Sequence, residues 1–257
     1  MLLRSFESFE KIDNGYLIHG DAADVKLIFM TDDIIRVRVH FDKGTPMEEE
    51  SYTLVTTAWP DRMDELLKDE RTRITALDVP CTEDEKALTF ETSDVTLKLF
   101  KKPFHFEMYD KAGNLLYQDL RERAFEKDQI GRLSHFSKVD RDYDHFFGFG
   151  EKTGHLDKKG RRLRMSPKDA IGHDPETGDP MYKHIPFYIR VNEKDLRPIG
   201  LFYHNSYDCV FDLGEELSGY WERYSYYQTD GGDIDLFLLA GPTIPDILNE
   251  YTLLTGP

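Results

Sequence analysis

The run Gly148-Phe149-Gly150-Glu151-Lys152-Thr153-Gly154 sets three glycines beside a lysine, a composition able to cradle a phosphate. The dinucleotide fingerprint needs glycine at its first, third and sixth positions, and Thr153 stands at the sixth. No helical pattern follows, so these glycines read as the place where a strand end turns and approaches another backbone closely. Just upstream, Asp140, Asp142 and Asp144 alternate and Glu151 stands twelfth, which imitates a calcium loop. The sixth position of such a loop is glycine for its sharp turn; here it is His145, and a solvated acidic run is the better reading. The nine histidines include no HExxH pair, and His173 and His184 read as hydrogen-bonding loop residues. A GxSxG elbow is absent too. Neither a metal nor a cofactor is expected. Paired carboxylates remain: retaining glycoside hydrolysis needs two of them about 5–5.5 Å apart on rigid supports. With 49 Asp and Glu, accidental pairs abound and spacing nominates none, so no catalytic residue is assigned.

These residues sit in or beside a polar insertion between two apolar runs, 146–149 and 185–189. A long insertion of this kind in a compact domain is functional or disordered. Leu163, Met165, Ile171, Met181 and Tyr182 recur along it and are expected to pin it to a core. Around it the chain reads as short strands. Ile35, Val37 and Val39 alternate with Arg36, Arg38 and His40, which predicts one buried face and one charged, solvated face. Residues 42–73 read as a solvated excursion, with a short helix near Met63, Leu66 and Leu67. Over 74–118, Val95, Leu97, Leu99 and then Phe104, Phe106, Met108 alternate with polar or aromatic neighbours between turn signals. Residues 119–145 are polar and less regular. Strands resume over 186–192, 199–204, 209–212, 224–228 and 234–240, with Asp230-Gly231-Gly232 as a hairpin-type turn. Thr243 as cap, Pro245 and Asp246 in the first turn, and Gly256 as stop predict a helix over 243–254. The fold class is all-β: a large antiparallel sandwich with a long loop at about 151–183 and a short C-terminal helix.

Charge and cysteine usage narrow the partners. A formal net charge of -16 repels phosphate backbones and anionic membranes, while a neutral sugar is indifferent to it. Cys81 and Cys209 allow one disulfide but form no framework. The N-terminal residues carry charge at Arg4, Glu7 and Glu10 and lack a signal peptide's apolar centre, and no apolar run is long enough to span a bilayer. A reducing, cytoplasmic protein is the expectation.

Five pieces, in order, carry a resemblance: GFGEKTG (148–154), GRR (160–162), KDA with DPETGDPMYKHIPF (168–187), GGDIDLFLLAGP (231–242) and YTLLTGP (251–257). Together they resemble the N-terminal domain of glycoside hydrolase family 31, the α-glucosidase and α-xylosidase family. The resemblance implies a galactose-mutarotase-like sandwich over 1–242 and a helix at 243–257 leading to a catalytic (β/α)8 barrel absent from this chain. It also implies that both catalytic aspartates lie in that barrel, and that the parent enzyme hydrolyses terminal α-linked sugars with retention. The partners would be an α-linked glycoside and the chain's own barrel. Asp169 matches a family aspartate that reaches across to the sugar pocket, and a carboxylate suits sugar hydroxyls because it accepts charge-assisted hydrogen bonds. The plainer reading of Asp169 is a turn aspartate bonding its own backbone. Ser166 stands where many members carry an aromatic residue against the distal sugar, so the resemblance carries no leaving-group preference over to this chain.

Two rival functions remain at this level. A stand-alone carbohydrate-binding module would need an exposed aromatic platform. An aldose 1-epimerase would need a carboxylate base and a histidine acid converging in a cleft. Tyr220, Trp221, Tyr224, Tyr226 and Tyr227 form an aromatic cluster, read here as strand packing. Arg161 and Arg162 are read as structural.

Overall fold

The structure is a computed structural model and describes residues 1–257. Its main sheet has eight antiparallel strands, in the spatial order Phe6–Ile12, Gly15–Gly20, Asp24–Phe29, Ile34–His40, Ile234–Ala240, Pro198–Tyr203, Phe187–Asn192 and Asp144–Gly148. Two five-stranded sheets share its inner face. One runs Leu115–Gln118, Phe104–Asp110, Val95–Lys101, Ala87–Glu91, Cys81–Glu83; the other runs Phe125–Lys127, Leu133–Lys138, Tyr224–Thr229, Cys209–Asp212, Arg162–Met165. Period-two alternation sends Ile35, Val37 and Val39, with Leu236 and Leu238, into one continuous core with Leu97, Phe106 and Phe211. The all-β sandwich with a projecting loop and a C-terminal helix is what the sequence predicts.

The outer face of the main sheet departs from expectation. Arg36 is 1% exposed, so the charged side of its strand is not solvated. The excursion covers it: Leu54, Ala58 and Trp59 join Phe202, Phe237 and Leu239 of the sheet in a second core. The same core takes Ile247 and Leu254 from the helix Ile244–Thr255. Thr243 caps this helix in a reciprocal box with Asp246, and Gly256 ends it, as read from the sequence. Val55 N donates to Leu254 O at 2.8 Å and so ties the excursion to the helix. The short helix Asp64–Leu67 forms, but it buries nothing, and Leu66 is exposed.

Three other expectations need correcting. The polar stretch 119–145 contains the interior strand Leu133–Lys138, because Ser134, His135 and Ser137 are buried with hydrogen-bond partners instead of lying on a wet face. Asp230-Gly231-Gly232 is not a hairpin: it carries the chain from a five-stranded sheet into the main one. Along the insertion Leu163, Met165 and Met181 are buried, whereas Ile171 and Tyr182 face solvent. Both cysteines are free thiols. No helix is long and apolar enough to cross a membrane.

Candidate functional site

The insertion is held at its base by a buried ion pair and close backbone approaches. Phe149 adopts φ 65 and is fully buried, its ring stacked on Tyr188 at 4.9 Å. A Cβ on Gly150 would stand 2.6 Å from Ile185, so only glycine lets the two ends of the loop meet. Lys152 has no exposed side-chain surface; its ammonium binds Asp179 Oδ1 at 2.5 Å and the Arg164 carbonyl. Asp179 Oδ2 accepts from Arg164 N at 2.5 Å, and Thr153 donates to Gly178 O. The lysine of the glycine-rich run is thus a pin across the loop and not a phosphate ligand. Lys158 turns inward to the carbonyls of Thr153 and His155, and burial lowers its pKa.

The two sugar-contact candidates lie beyond this base and do different things. Ser166 is half-buried and donates to Asp208 at 2.5 Å. Asp169 is exposed, next to the Tyr182 hydroxyl, whose pKa it raises. Asp169, Ile171 and Tyr182 therefore make an open, amphipathic tip on a fixed stem. Upstream, Asp144 accepts from Asp140 N and from Asn192 Nδ2, so the alternating aspartates cap a turn.

Residues 24–212 match the family model for the glycosyl hydrolase 31 N-terminal galactose mutarotase-like domain. The chain belongs to this family. Among curated proteins it is similar to "Alpha-glucosidase 2" of Bacillus thermoamyloliquefaciens, 31% identical over 98% of the chain. A second relative is the "Alpha-glucosidase" of Saccharolobus solfataricus, 35% identical over 44% of the chain. The chain spans only 29% of the length of the first and 15% of the second. Among solved structures, a Flavobacterium johnsoniae family 31 dextranase covers the whole chain with TM-score 0.82 and 22% identity, the match taking in 28% of that protein. A family 31 α-xylosidase from a soil metagenome covers 97% with TM-score 0.71 and 14% identity, over 35% of its length. Likenesses at these identities speak to the fold.

Two polar constellations of this glycoside hydrolase 31 domain escaped the sequence reading. The first lies between the sheets. His135 bonds Asp119 Oδ1 at 2.8 Å and the hydroxyls of Tyr117 and Tyr203 at 2.9 Å. It is a carboxylate–histidine pair of the type an epimerase needs, but His135 is 0% and Asp119 1% exposed, so no sugar reaches it. The second lies on the outer face. Ser51 Oγ meets His204 Nε2 at 2.7 Å, and His204 Nδ1 meets Asp235 Oδ2 at 3.1 Å. That is the order of a nucleophile, base and orienting acid. The chemistry is disarmed, however. Ser51 Oγ already accepts from Thr53 N and Leu54 N, and Ser51 is 3% exposed. Burial opposes the charge on Asp235, yet Arg36, bound through two 2.7 Å bonds, and His204 hold its pKa well below the usual carboxylate range. The relay anchors the excursion. Its members are 153 and 31 residues apart, a spacing no local motif reveals.

Proposed function

We propose that this chain is the non-catalytic sandwich domain (1–242) of a retaining α-glycosidase acting on terminal α-linked sugars, with a (β/α)8 barrel continuing from the 243–257 helix. The observation that carries this reading is the 31% identity to an α-glucosidase over 98% of the chain, joined to the family match. In the retaining mechanism a nucleophile and an acid/base stand about 5–5.5 Å apart; on this reading both come from the barrel. This chain's part is positional. The Lys152–Asp179 pin fixes the stem of the insertion, and Asp169 at its tip accepts hydrogen bonds from sugar hydroxyls at the rim of the pocket. Ser166, tied to Asp208, leaves room where a ring would otherwise stack, which suits a leaving group that is not held by stacking.

The test is made in the full-length protein with an aryl α-glucoside and an α-linked disaccharide. Asp169→Asn is expected to lower kcat/KM for the disaccharide by about 10- to 100-fold, equivalent to the ~1.5–3 kcal/mol of a charge-assisted hydrogen bond, without changing Tm. Unchanged kinetics would remove Asp169 from the pocket. The 257-residue chain alone is expected to show no turnover.

A further inference from the structure

The outer face of the main sheet carries a cleft of about 560 Å³ between the excursion and the base of the insertion. Small-molecule sites commonly occupy roughly 300–1,000 Å³. Arg36, Ser51, His204 and Asp235 line it, with Tyr52 and Tyr207 also on its wall. The two tyrosines are 72% and 55% exposed, so each presents free ring surface. Tyr207 is also braced: its backbone N–H donates to Asn205 Oδ1, and a Cβ on Gly231 would stand 2.7 Å from its ring. A tyrosine fixed in this way and still open is preorganised for stacking.

The polar groups of the cleft select the ligand further. Glu49, Asp233 and Asp235 are each paired with Arg36, Arg38 or His40, yet the lining holds five carboxylates against two guanidiniums, so it keeps acceptors and a negative field. Glu48 is similarly paired with Arg62. Nowhere in the chain are three or more His, Cys, Asp or Glu side chains placed to hold a metal ion. Arg36 itself is 1% exposed under Trp59, so the donors a ligand would meet belong to the exposed Tyr52 and Tyr207. A lining with more carboxylates than guanidiniums repels anions, has no cluster that would hold a metal ion, and supplies both donors and acceptors beside aromatic rings. That combination fits a neutral polyhydroxyl ligand.

We propose that this cleft is a binding site for a neutral oligosaccharide, distinct from the Asp169 tip and independent of any role of that tip in catalysis. The 257-residue chain is titrated calorimetrically with maltotriose and isomaltotriose, with a trimer of α-linked galacturonate as charged control. Saturable binding of a neutral trimer and none of the uronate is expected. Tyr207→Ala and Tyr52→Ala each weaken it by about three- to tenfold, the share of one aromatic contact. Gly231→Ala, which displaces the Tyr207 ring, weakens it similarly, while Asp169→Ala leaves it unchanged. Both tyrosines are exposed, so melting curves should overlay and separate lost binding from lost folding. Absence of saturable binding overturns the proposal and leaves the cleft as a contact for another polypeptide segment. Binding lost in Asp169→Ala but kept in both tyrosine variants overturns it as well, by moving the sugar to the loop tip.

Discussion

The two faces of the eight-stranded sheet are built from the same strands but by different means. The inner face is sealed by aliphatic and aromatic side chains, with Ile35, Val37, Leu236 and Leu238 in one core. The outer face is sealed by a segment with little regular structure, and beneath it lies a charge network. Arg36 there binds Asp235 twice at 2.7 Å and Glu49 at 2.8 Å, while its guanidinium lies 3.8 Å from the centre of the Trp59 ring. An apolar core tolerates a change of partner so long as volume is kept. A buried ion network does not, because losing one member strands the charge of another. The outer face is therefore the more specific junction and the more brittle one.

The largest expected effect tests that contrast directly. Asp235→Ala leaves Arg36 buried beside a gap and is expected to cost about 3–5 kcal/mol in urea denaturation at pH 7. Leu238→Ala on the inner face of the same strand is expected to cost about 2–5 kcal/mol through its cavity. The two diverge in rescue. Adding Arg36→Met to the Asp235→Ala variant should recover much of its loss, since no charge is then unpaired. No apolar neighbour substitution should restore Leu238→Ala as fully. Equal costs without rescue would mean that the outer network acts only through packing.

A smaller effect separates the cover from the sheet beneath it. Ser51 Oγ serves His204 and the backbone N–H groups of Thr53 and Leu54. Ser51→Ala strands these groups and is expected to cost about 1–2 kcal/mol. Hydrogen exchange should locate the loss: amides of Thr53, Leu54 and Val55 exchange faster, while those of Leu236 and Leu238 keep their protection. Uniform acceleration across both would show that cover and sheet open as one unit.

The contrast between the faces also explains what the sequence disclosed. Alternation at Ile35, Val37 and Val39 revealed the inner face, because an apolar core imposes a period that each strand shows locally. The outer face is concealed at Arg36 and Arg38, since arginine in a strand ordinarily signals water. What reverses that meaning is Asp235, 199 residues from Arg36, and Glu49 in a stretch whose acidity suggested a solvated loop. The strand Leu133–Lys138 is hidden for a related reason: His135 and Ser137 look wet, and Asp119 with the hydroxyls of Tyr117 and Tyr203 satisfies them inside the fold. In the insertion, the glycines around Phe149 predict the close approach that is found, whereas the hydrophobicity of Ile171 and Tyr182 predicts burial and both face solvent. Asp169 could be singled out only through resemblance to a family, since its exposed position and its tyrosine neighbour leave no mark in the local spacing.

The smallest effect sits where the helix Ile244–Thr255 meets the outer face, and there the charges are not balanced. Glu250 has its pKa pushed up from 4.5 to about 7, first by burial and then by the neighbouring Asp33 and Asp246. The sign follows from proton binding. Between pH 4.5 and about 7 the folded state holds a proton that the unfolded state has released, so the native advantage is full at low pH and declines as pH rises through 7. Glu250→Gln removes the charge at every pH. It is expected to stabilise the protein by about 1 kcal/mol at pH 8, a value reduced because the group is only half-buried and water screens it. Below the unfolded pKa the two proteins should have equal stability, because both side chains are then neutral in both states. Paired urea titrations at pH 4 and pH 8 measure the difference. A gain of equal size at both pH values would trace it to packing of the amide. A loss at pH 8 would mean that Glu250 is a favourable anion on this helix, and that the outer face is electrostatically balanced up to its edge.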